Sequence, residues 1–359
     1  MKRVDLEAST LLHAHPTGIA RYGRQLIDHL LTLPAYGHDF RLRLLYKLSR
    51  FSKRAFRYAP PQASTDWHLG AYFPLSARKR LVHCLDSVLI YGKGIRTVVT
   101  IHDLAVFRPE HQLEGYTSDK FREKSWARMR QMVRHADHLI AVSEATKRDL
   151  LHFFDYPEAQ ISVVPLGTEQ RPLGRQAPPL PPAWQLHSKQ YYLFVGSISV
   201  RKNMLNLLQA FAHHATEHTL VLAGTAEPAV LEAIARLRLH HKVRLLGYVE
   251  DALLPLLYHH AAAFLFPTYY EGFGIPLLEA MIHRLPIVTS NRGAAPEVVD
   301  ASAQLVDPFE VDSIREGLEK IATVADTALD AAQQRALAFT WSRTAQSTYE
   351  VYQKLWEAH

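Results

Sequence analysis

A single cysteine, Cys84, in 359 residues excludes an internal disulfide and suits a reducing compartment. No uninterrupted apolar run reaches the ~18 residues of a membrane-spanning helix. The chain starts straight into Val4-Asp5-Leu6 with no apolar leader region, which predicts no signal peptide and a cytoplasmic protein. The Gly-x-x-x-x-Gly-Lys-Ser/Thr spacing of a P-loop is missing, and so is any zinc-ligand spacing. The 21 histidines are scattered. His213-His214, His240-His241 and His259-His260 read as solvated helix positions rather than metal ligands. No repeat of solenoid period occurs.

What is present describes a soluble globular chain, 48% apolar and 21% charged, too long for one ordinary core. Its net charge of +6 is unevenly spread. Residues 1–180 carry 27 Lys/Arg against 17 Asp/Glu, a net +10, and residues 181–359 carry 14 against 18, a net −4. That split admits a membrane surface, a nucleic acid or ordinary solvation as the reason for the basic half. No helix-turn-helix or RNP-like pattern accompanies the charge, so no nucleic-acid partner is expected.

Short apolar runs alternate with helical periodicity. Strands are expected at Arg3–Glu7, Leu42–Tyr46, Leu81–Leu85, Thr97–Ile101, His138–Val142 and Ile161–Val164, with helices at Ala20–Thr32, Phe121–His135 and Ala145–Phe154. This is the pattern of a parallel, doubly wound sheet. The stretch Arg171–Pro182 holds five prolines and no apolar period, which predicts a semi-rigid linker over 171–188. The alternation then resumes, with strands expected at Tyr191–Val195, Thr219–Ala223, Val243–Leu246, Ala263–Phe266, Ile287–Thr289 and Gln304–Val306. The expectation is an α/β protein with Rossmann-like domains at 1–170 and 189–340, a closing helix over 341–359, and chemistry in the cleft between the domains.

Two constellations carry that chemistry. In Tyr269-Tyr270-Glu271-Gly272-Phe273-Gly274-Ile275-Pro276, a glycine-rich turn runs into a helix. Gly272 and Gly274 permit a tight bend and close approach to a ligand. Pro276 suits the first helical turn. Glu271 then sits at the helix mouth and Glu279 about one turn inside, and the free N–H groups between them suit an anion. Scaffolding with two glutamates favourable to the helix dipole is the competing reading. The second constellation, Val195-Gly196-Ser197-Ile198-Ser199-Val200-Arg201-Lys202-Asn203, places Arg201 and Lys202 at a strand–loop–helix junction suited to a diphosphate. An exposed Arg-Lys pair is the bland alternative. Ser143 reads as a helix N-cap.

Together, Gly196 with Lys202 six residues on and Glu271-x7-Glu279 resemble the retaining glycosyltransferase family 4, which has the GT-B fold. Gly293-Ala-Ala-Pro296-Glu297-Val298-Val299, Leu305-Val-Asp-Pro308 and Trp341–Leu355 continue the likeness. Before residue 190 it is carried by Thr17-Gly18-Ile19-Ala20-Arg21-Tyr22 and Thr100-Ile101-His102-Asp103. One departure is Ser197, where many members carry Arg; Arg201 is then the candidate for that charge. Gly18 stands alone in a loop where members often have more glycines.

The resemblance implies a nucleotide-diphosphate sugar as donor and a hexosyltransferase that retains anomeric configuration. Glu279 is expected to grip the ribose, and Tyr248 and Val249 to border the base. Arg201, Lys202 and the backbone around Gly272, Phe273, Gly274 and Ile275 are expected to stabilise the leaving diphosphate. Glu271 and His102 are expected to contact the sugar. No Asp-x-Asp occurs, so neither metal nor other cofactor is expected. The Gly-Ile-Ala-Arg-Tyr and Ile-His-Asp-Leu runs most resemble bacterial mannosyltransferases of surface polysaccharides such as lipopolysaccharide, which points to GDP-mannose and a lipid-linked glycan acceptor. Arg41–Arg57 carries seven cations and no acid, and its later part reads either as an amphipathic helix on an anionic inner membrane face or as a solvated surface. The rivals are a UDP- or dTDP-sugar transferase, a binding-only or epimerase-like relative, and a phosphorylase, for which no cofactor lysine is evident.

Overall fold

The computed structural model describes residues 1–12, 18–69, 80–86, 88–108, 116–169, 171–174, 177–299 and 303–357. The chain divides into two compact units, Met1–Phe107 with Asp119–Gly167 and Thr340–His359, and Arg108–Ser118 with Thr168–Phe339.

The first unit contains β1 (Lys2–Glu7), α1 (Gly18–Leu31), β2 (Phe40–Lys47), β3 (Ser64–His68), β4 (Arg80–Cys84), β5 (Ile95–Ile101), α2 (Asp119–His135), β6 (His138–Ala141), α3 (Glu144–Phe153) and β7 (Ile161–Val163). All strand pairs are parallel, in the order β3-β2-β1-β4-β5-β6-β7. Helices cover such a sheet on both faces, so adjacent residues of its inner strands are buried together; Val98, Val99, Leu139 and Ile140 are fully buried. On α1 the buried side is Ala20, Gly23, Leu26, Ile27 and Leu30, a helical stripe turned to the sheet. Ser143 caps α3, its hydroxyl accepting from the Thr146 N–H at 3.0 Å.

Strand β3 has no counterpart among the sequence expectations. Ser-Thr-Asp-Trp-His is polar because it lies at the sheet edge, paired only with β2. The expected strand at Leu42–Tyr46 is present and slightly longer, and the helical later part of 41–57 is a 3₁₀ segment rather than an α-helix. Phe40–Lys47 is a strand whose Leu42, Leu44 and Leu45 are buried between β1 and β3, and only Leu48–Phe56 is helical, as an exposed 3₁₀ segment. Arg43, one of the seven cations, is spent on Asp5 at 2.6 Å and Asp66 at 3.3 Å.

The second unit contains β8 (Tyr191–Val195), α4 (Met204–Ala212), β9 (Thr219–Ala223), α5 (Pro228–Arg236), β10 (Val243–Gly247), α6 (Leu254–His260), β11 (Ala263–Phe266), α7 (Ile275–Ile282), β12 (Ile287–Ser290), α8 (Ala295–Val298), β13 (Ala303–Val306), α9 (Val311–Lys320) and α10 (Asp326–Leu337). Its sheet is parallel, ordered β10-β9-β8-β11-β12-β13. In both units the chain builds outward from the first strand on one side, then crosses to the other. This creates a topological switch between β1 and β4 in one sheet and between β8 and β11 in the other, where open parallel sheets bind ligands.

The last helix, α11 (Trp341–Glu357), belongs to the first unit. Its Tyr352 hydroxyl meets His83 Nδ1 at 2.6 Å, His83 Nε2 meets the Thr100 hydroxyl at 2.7 Å, and Thr100 meets the Tyr22 hydroxyl at 2.9 Å. All four residues are buried. Among the described residues no helix is long and apolar enough to cross a membrane.

Burial holds His83 neutral, lowering its pKa from 6.5 to about 3. Between those values the unfolded chain binds the additional proton, so stability falls as pH falls through this window. His138 and His283, each lowered by burial to about 4, act in the same direction. The unfolding midpoint is therefore expected to drop between pH 6.5 and 4.5, with His83 alone costing about 1.4 kcal/mol per pH unit. Thermal melts of the protein and of His83→Gln across this range check it: the variant should show the shallower slope, and equal slopes would exclude His83 as a source.

Candidate functional site

The loops leaving β8 and β11 flank the switch point of the second sheet. After β8, Gly196 and the exposed Ser197 lead to a single 3₁₀ turn, Val200–Lys202. The Ser199 hydroxyl accepts from the Lys202 N–H at 3.3 Å, and Glu227 accepts from the Val200 N–H at 3.0 Å. Asn203 follows with φ of 61°, a left-handed conformation that asparagine tolerates better than most residues, and α4 starts only at Met204. Arg201 and Lys202 thus stand just before α4 rather than inside it. Buried Asn203 donates from Nδ2 to the carbonyls of Pro267 at 2.8 Å and Pro308 at 2.6 Å. Both partners can only accept, which sets the amide's orientation.

Across the switch point, β11 passes into Pro267, Thr268, buried Tyr269 and Tyr270, and Glu271. Lys202 Nζ donates to Glu271 Oε1 at 2.6 Å, and the two side chains keep 19% and 13% of their exposure. Arg201 is exposed and, among the described residues, has no ion-pair partner. The Glu271 backbone is fixed from the β12 side, where its carbonyl accepts from the Ala294 N–H at 2.9 Å. Gly293 permits that approach: a Cβ there would lie 2.6 Å from the Glu271 carbonyl oxygen, and its φ is +62°. Gly274, at φ +93°, is the turn residue opening α7, with Pro276 in the first helical turn. Gly272 and Phe273 are buried, Phe273 against Phe339, while Ile275 is half-buried.

Glu279, on α7, is 1% exposed and accepts from the Tyr258 hydroxyl of α6 at 2.9 Å. The two glutamates therefore have different partners, an ammonium for Glu271 and a neutral hydroxyl for Glu279. After β10, Tyr248 is 54% exposed and Val249 is buried. In the first unit, His102 directly follows β5 and its Nε2 lies 2.9 Å from the Leu85 carbonyl at the end of β4. That oxygen can only accept, so Nε2 carries the proton. The Tyr22 ring stands edge-on to the imidazole at 4.8 Å. Gly18 is the exposed first residue of α1; Thr17, with which it was read as a loop, falls outside the described residues.

The structure brings Lys202 and Glu271 together, and sets Glu279 deeper on α7. Sequence reading overlooked Tyr258, the lock made by Asn203, and two residues from before the linker. The Arg108 guanidinium lies 5.0 Å from the Tyr270 ring, and Tyr116 meets Tyr269 at 6.2 Å. None of these leaves a local signal, because each depends on partners far away in sequence. Among the described residues no three His, Cys, Asp or Glu side chains are grouped as metal ligands would be.

Comparison with known proteins adds to this geometry. The sequence matches the families described as Glycosyltransferase Family 4 over residues 16–170 and Glycosyl transferases group 1 over residues 181–335. It is 30% identical to the O-antigen chain mannosyltransferase B of Escherichia coli over 275 residues, 72% of this chain and 71% of that protein. Among solved structures, sucrose-phosphate synthase of Thermosynechococcus elongatus matches with a TM-score of 0.78 at 18% identity over 100% of both chains. Anabaena HepE, solved with UDP and glucose, matches with a TM-score of 0.67 at 18% identity, over 99% of this chain and 100% of that one. At such identities the two structures speak for the GT-B fold alone.

Asn203→Ala is expected to remove two buried hydrogen bonds, the Pro308 carbonyl keeping the Asn206 amide at 3.1 Å and the Pro267 carbonyl losing its Asn203 donor, destabilising the protein by about 1–3 kcal/mol. Urea unfolding measures this, and a change below about 0.5 kcal/mol would contradict the lock.

Proposed function

The chain belongs to glycosyltransferase family 4 and is a glycosyltransferase enzyme, and we propose that it transfers a mannosyl residue from GDP-mannose to a lipid-linked glycan in bacterial polysaccharide assembly. The observation that carries the site assignment is the 2.6 Å Lys202–Glu271 contact across a topological switch point. The leaning to mannose rests on the relatedness to an O-antigen mannosyltransferase.

In this reading Glu279 accepts from the ribose hydroxyls, and Tyr248 and Val249 border the base. Lys202, Arg201 and the first N–H groups of α7 oppose the charge that builds on the departing diphosphate. Removing one such donor typically costs about 10²-fold in rate or more. Glu271, already holding Lys202, contacts the sugar hydroxyls. The acceptor hydroxyl attacks from the face the diphosphate leaves. The bond from the anomeric carbon to the phosphate oxygen breaks as the bond to the acceptor oxygen forms. The acceptor's proton passes to the departing phosphate, so configuration is retained without a covalent enzyme intermediate. Fixed cations take the part a metal would otherwise play.

A transfer assay with radiolabelled GDP-mannose, UDP-glucose and dTDP-glucose on lipid-linked acceptor, in excess chelator, tests this. Transfer from GDP-mannose alone is expected, falling about 10²-fold in Lys202→Ala. Transfer from the other donors only, or strict dependence on added divalent metal, would overturn the corresponding part.

The exposed segment Leu48–Phe56 supports contact with an anionic membrane. Leu48, Phe51 and Phe56 are each more than 40% exposed, and Lys53 and Arg54 stand in its last turn. Each cation held near such a surface contributes about 1 kcal/mol. Co-sedimentation with phosphatidylglycerol vesicles should weaken when Lys53, Arg54 and Arg57 are replaced by Gln, and unchanged sedimentation would remove this segment from membrane contact.

A further inference from the structure

We infer that Tyr258 is a positioning residue for Glu279, setting the carboxylate that reads the donor's ribose. The inference rests on the ribose assignment of Glu279 given above.

A carboxylate on a helix can swing about its side-chain torsions, and one that must accept from two adjacent hydroxyls binds best when already oriented. Tyr258 supplies that orientation. Its hydroxyl donates to Glu279 Oε2 at 2.9 Å, and both residues are almost wholly buried. A phenol is also a neutral donor. Unlike the ammonium on Glu271, it orients the carboxylate through a hydrogen bond and not through an ion pair.

The tyrosine is itself held on several sides. His283, one turn beyond Glu279 and just past the end of α7, lies parallel to the Tyr258 ring within 5° at 5.9 Å, and Phe264 of β11 packs at 5.4 Å. The helix carrying Tyr258 is pinned at its C-terminal end. Lys189 Nζ donates to the carbonyls of His259 at 2.9 Å and Ala261 at 2.7 Å, placing a cation where the helix dipole is negative. The Tyr191 hydroxyl donates to the Leu257 carbonyl at 2.6 Å. His260 Nε2 meets the Pro178 carbonyl at 2.9 Å, so the Pro-rich segment is tied to the same helix. Lys189, Tyr191 and the Pro178 carbonyl thereby hold the helix whose tyrosine hydroxyl aims the ribose-reading carboxylate.

The test compares binding of GDP and 2′-deoxy-GDP, and of UDP and 2′-deoxy-UDP, to the full chain, to Tyr258→Phe and to Glu279→Gln, with thermal melts alongside. For whichever base binds, the wild type should prefer the ribonucleotide by about 10- to 100-fold, the range of a hydrogen bond to a charged group. Glu279→Gln should abolish most of that preference. Tyr258→Phe should cut it by about threefold to tenfold while 2′-deoxynucleotide affinity stays unchanged. If Glu279→Gln loses the preference and Tyr258→Phe keeps it, the positioning role fails and the ribose assignment stands. If Tyr258→Phe weakens both nucleotides equally, the hydroxyl supports the fold only and the inference fails. If Glu279→Gln keeps the wild-type preference, the ribose assignment itself is wrong, and the inference falls with it.

Discussion

The contact between Lys202 Nζ and Glu271 Oε1, 2.6 Å across the β8/β11 switch point, is the interaction around which the second unit's site is arranged. Partly exposed ion pairs contribute little net stability, because desolvation and side-chain ordering offset most of the Coulombic gain. The surrounding construction is far more elaborate than so weak a contribution would call for. Asn203 ties the cation-bearing turn to the Glu271 loop through the Pro267 carbonyl, Ser199 and Glu227 hold the turn, and Ala294 holds the Glu271 backbone from the far side. Rigid placement of two opposite charges at the C-terminal edge of a parallel sheet is the arrangement an anionic ligand needs, since its binding then costs little reorganisation.

The two glutamates show how environment divides one residue type between two tasks. Glu271 lies at the mouth of α7, partly exposed and bound to an ammonium; Glu279 lies one turn inside, buried, and bound to a phenol. The first holds its cation where solvent reaches both, and the second is fixed in direction by the Tyr258 hydroxyl. An eight-residue spacing across a glycine turn achieves this separation, because Gly274 in its left-handed conformation redirects the chain from loop to helix between them.

Much of this was legible in the sequence because the information is local. The strands Tyr191–Val195, Thr219–Ala223 and Ala263–Phe266 stand where apolar runs bounded by turn residues put them, and the glycine–glutamate spacing marked the turn that runs into α7. The rest depends on partners distant in the chain. Ser64–His68 is a strand only because β2 lies beside it, and its polar composition gives no alternation to read. Phe40–Lys47 was legible as a strand over Leu42–Tyr46, and pairing with β1 and β3 extends it at both ends. Asn203 and Tyr258 act through atoms 64 and 21 residues away, which no motif spacing encodes.

The same dependence on distant partners explains the surroundings of His102. Its Nε2–H is committed to the Leu85 carbonyl and its ring abuts the edge of Tyr22, leaving Nδ1 as the polar atom not used in that contact. Tyr22 is held by Thr100, Thr100 by His83, and His83 by Tyr352, a residue 269 positions later on the last helix. Both partners of His83 are hydroxyls that can donate or accept, so the neutral imidazole that burial favours, donating from one nitrogen and accepting at the other, fits the chain. The depressed pKa of His83 and the docking of α11 are therefore one arrangement, and neutral His83 is what allows a polar chain to run through a buried core without leaving a charge uncompensated. The C-terminal helix thus completes the packing around the carboxyl ends of β4 and β5, and the imidazole at that edge takes its tautomer from one strand and its neighbour from a network that ends on the last helix.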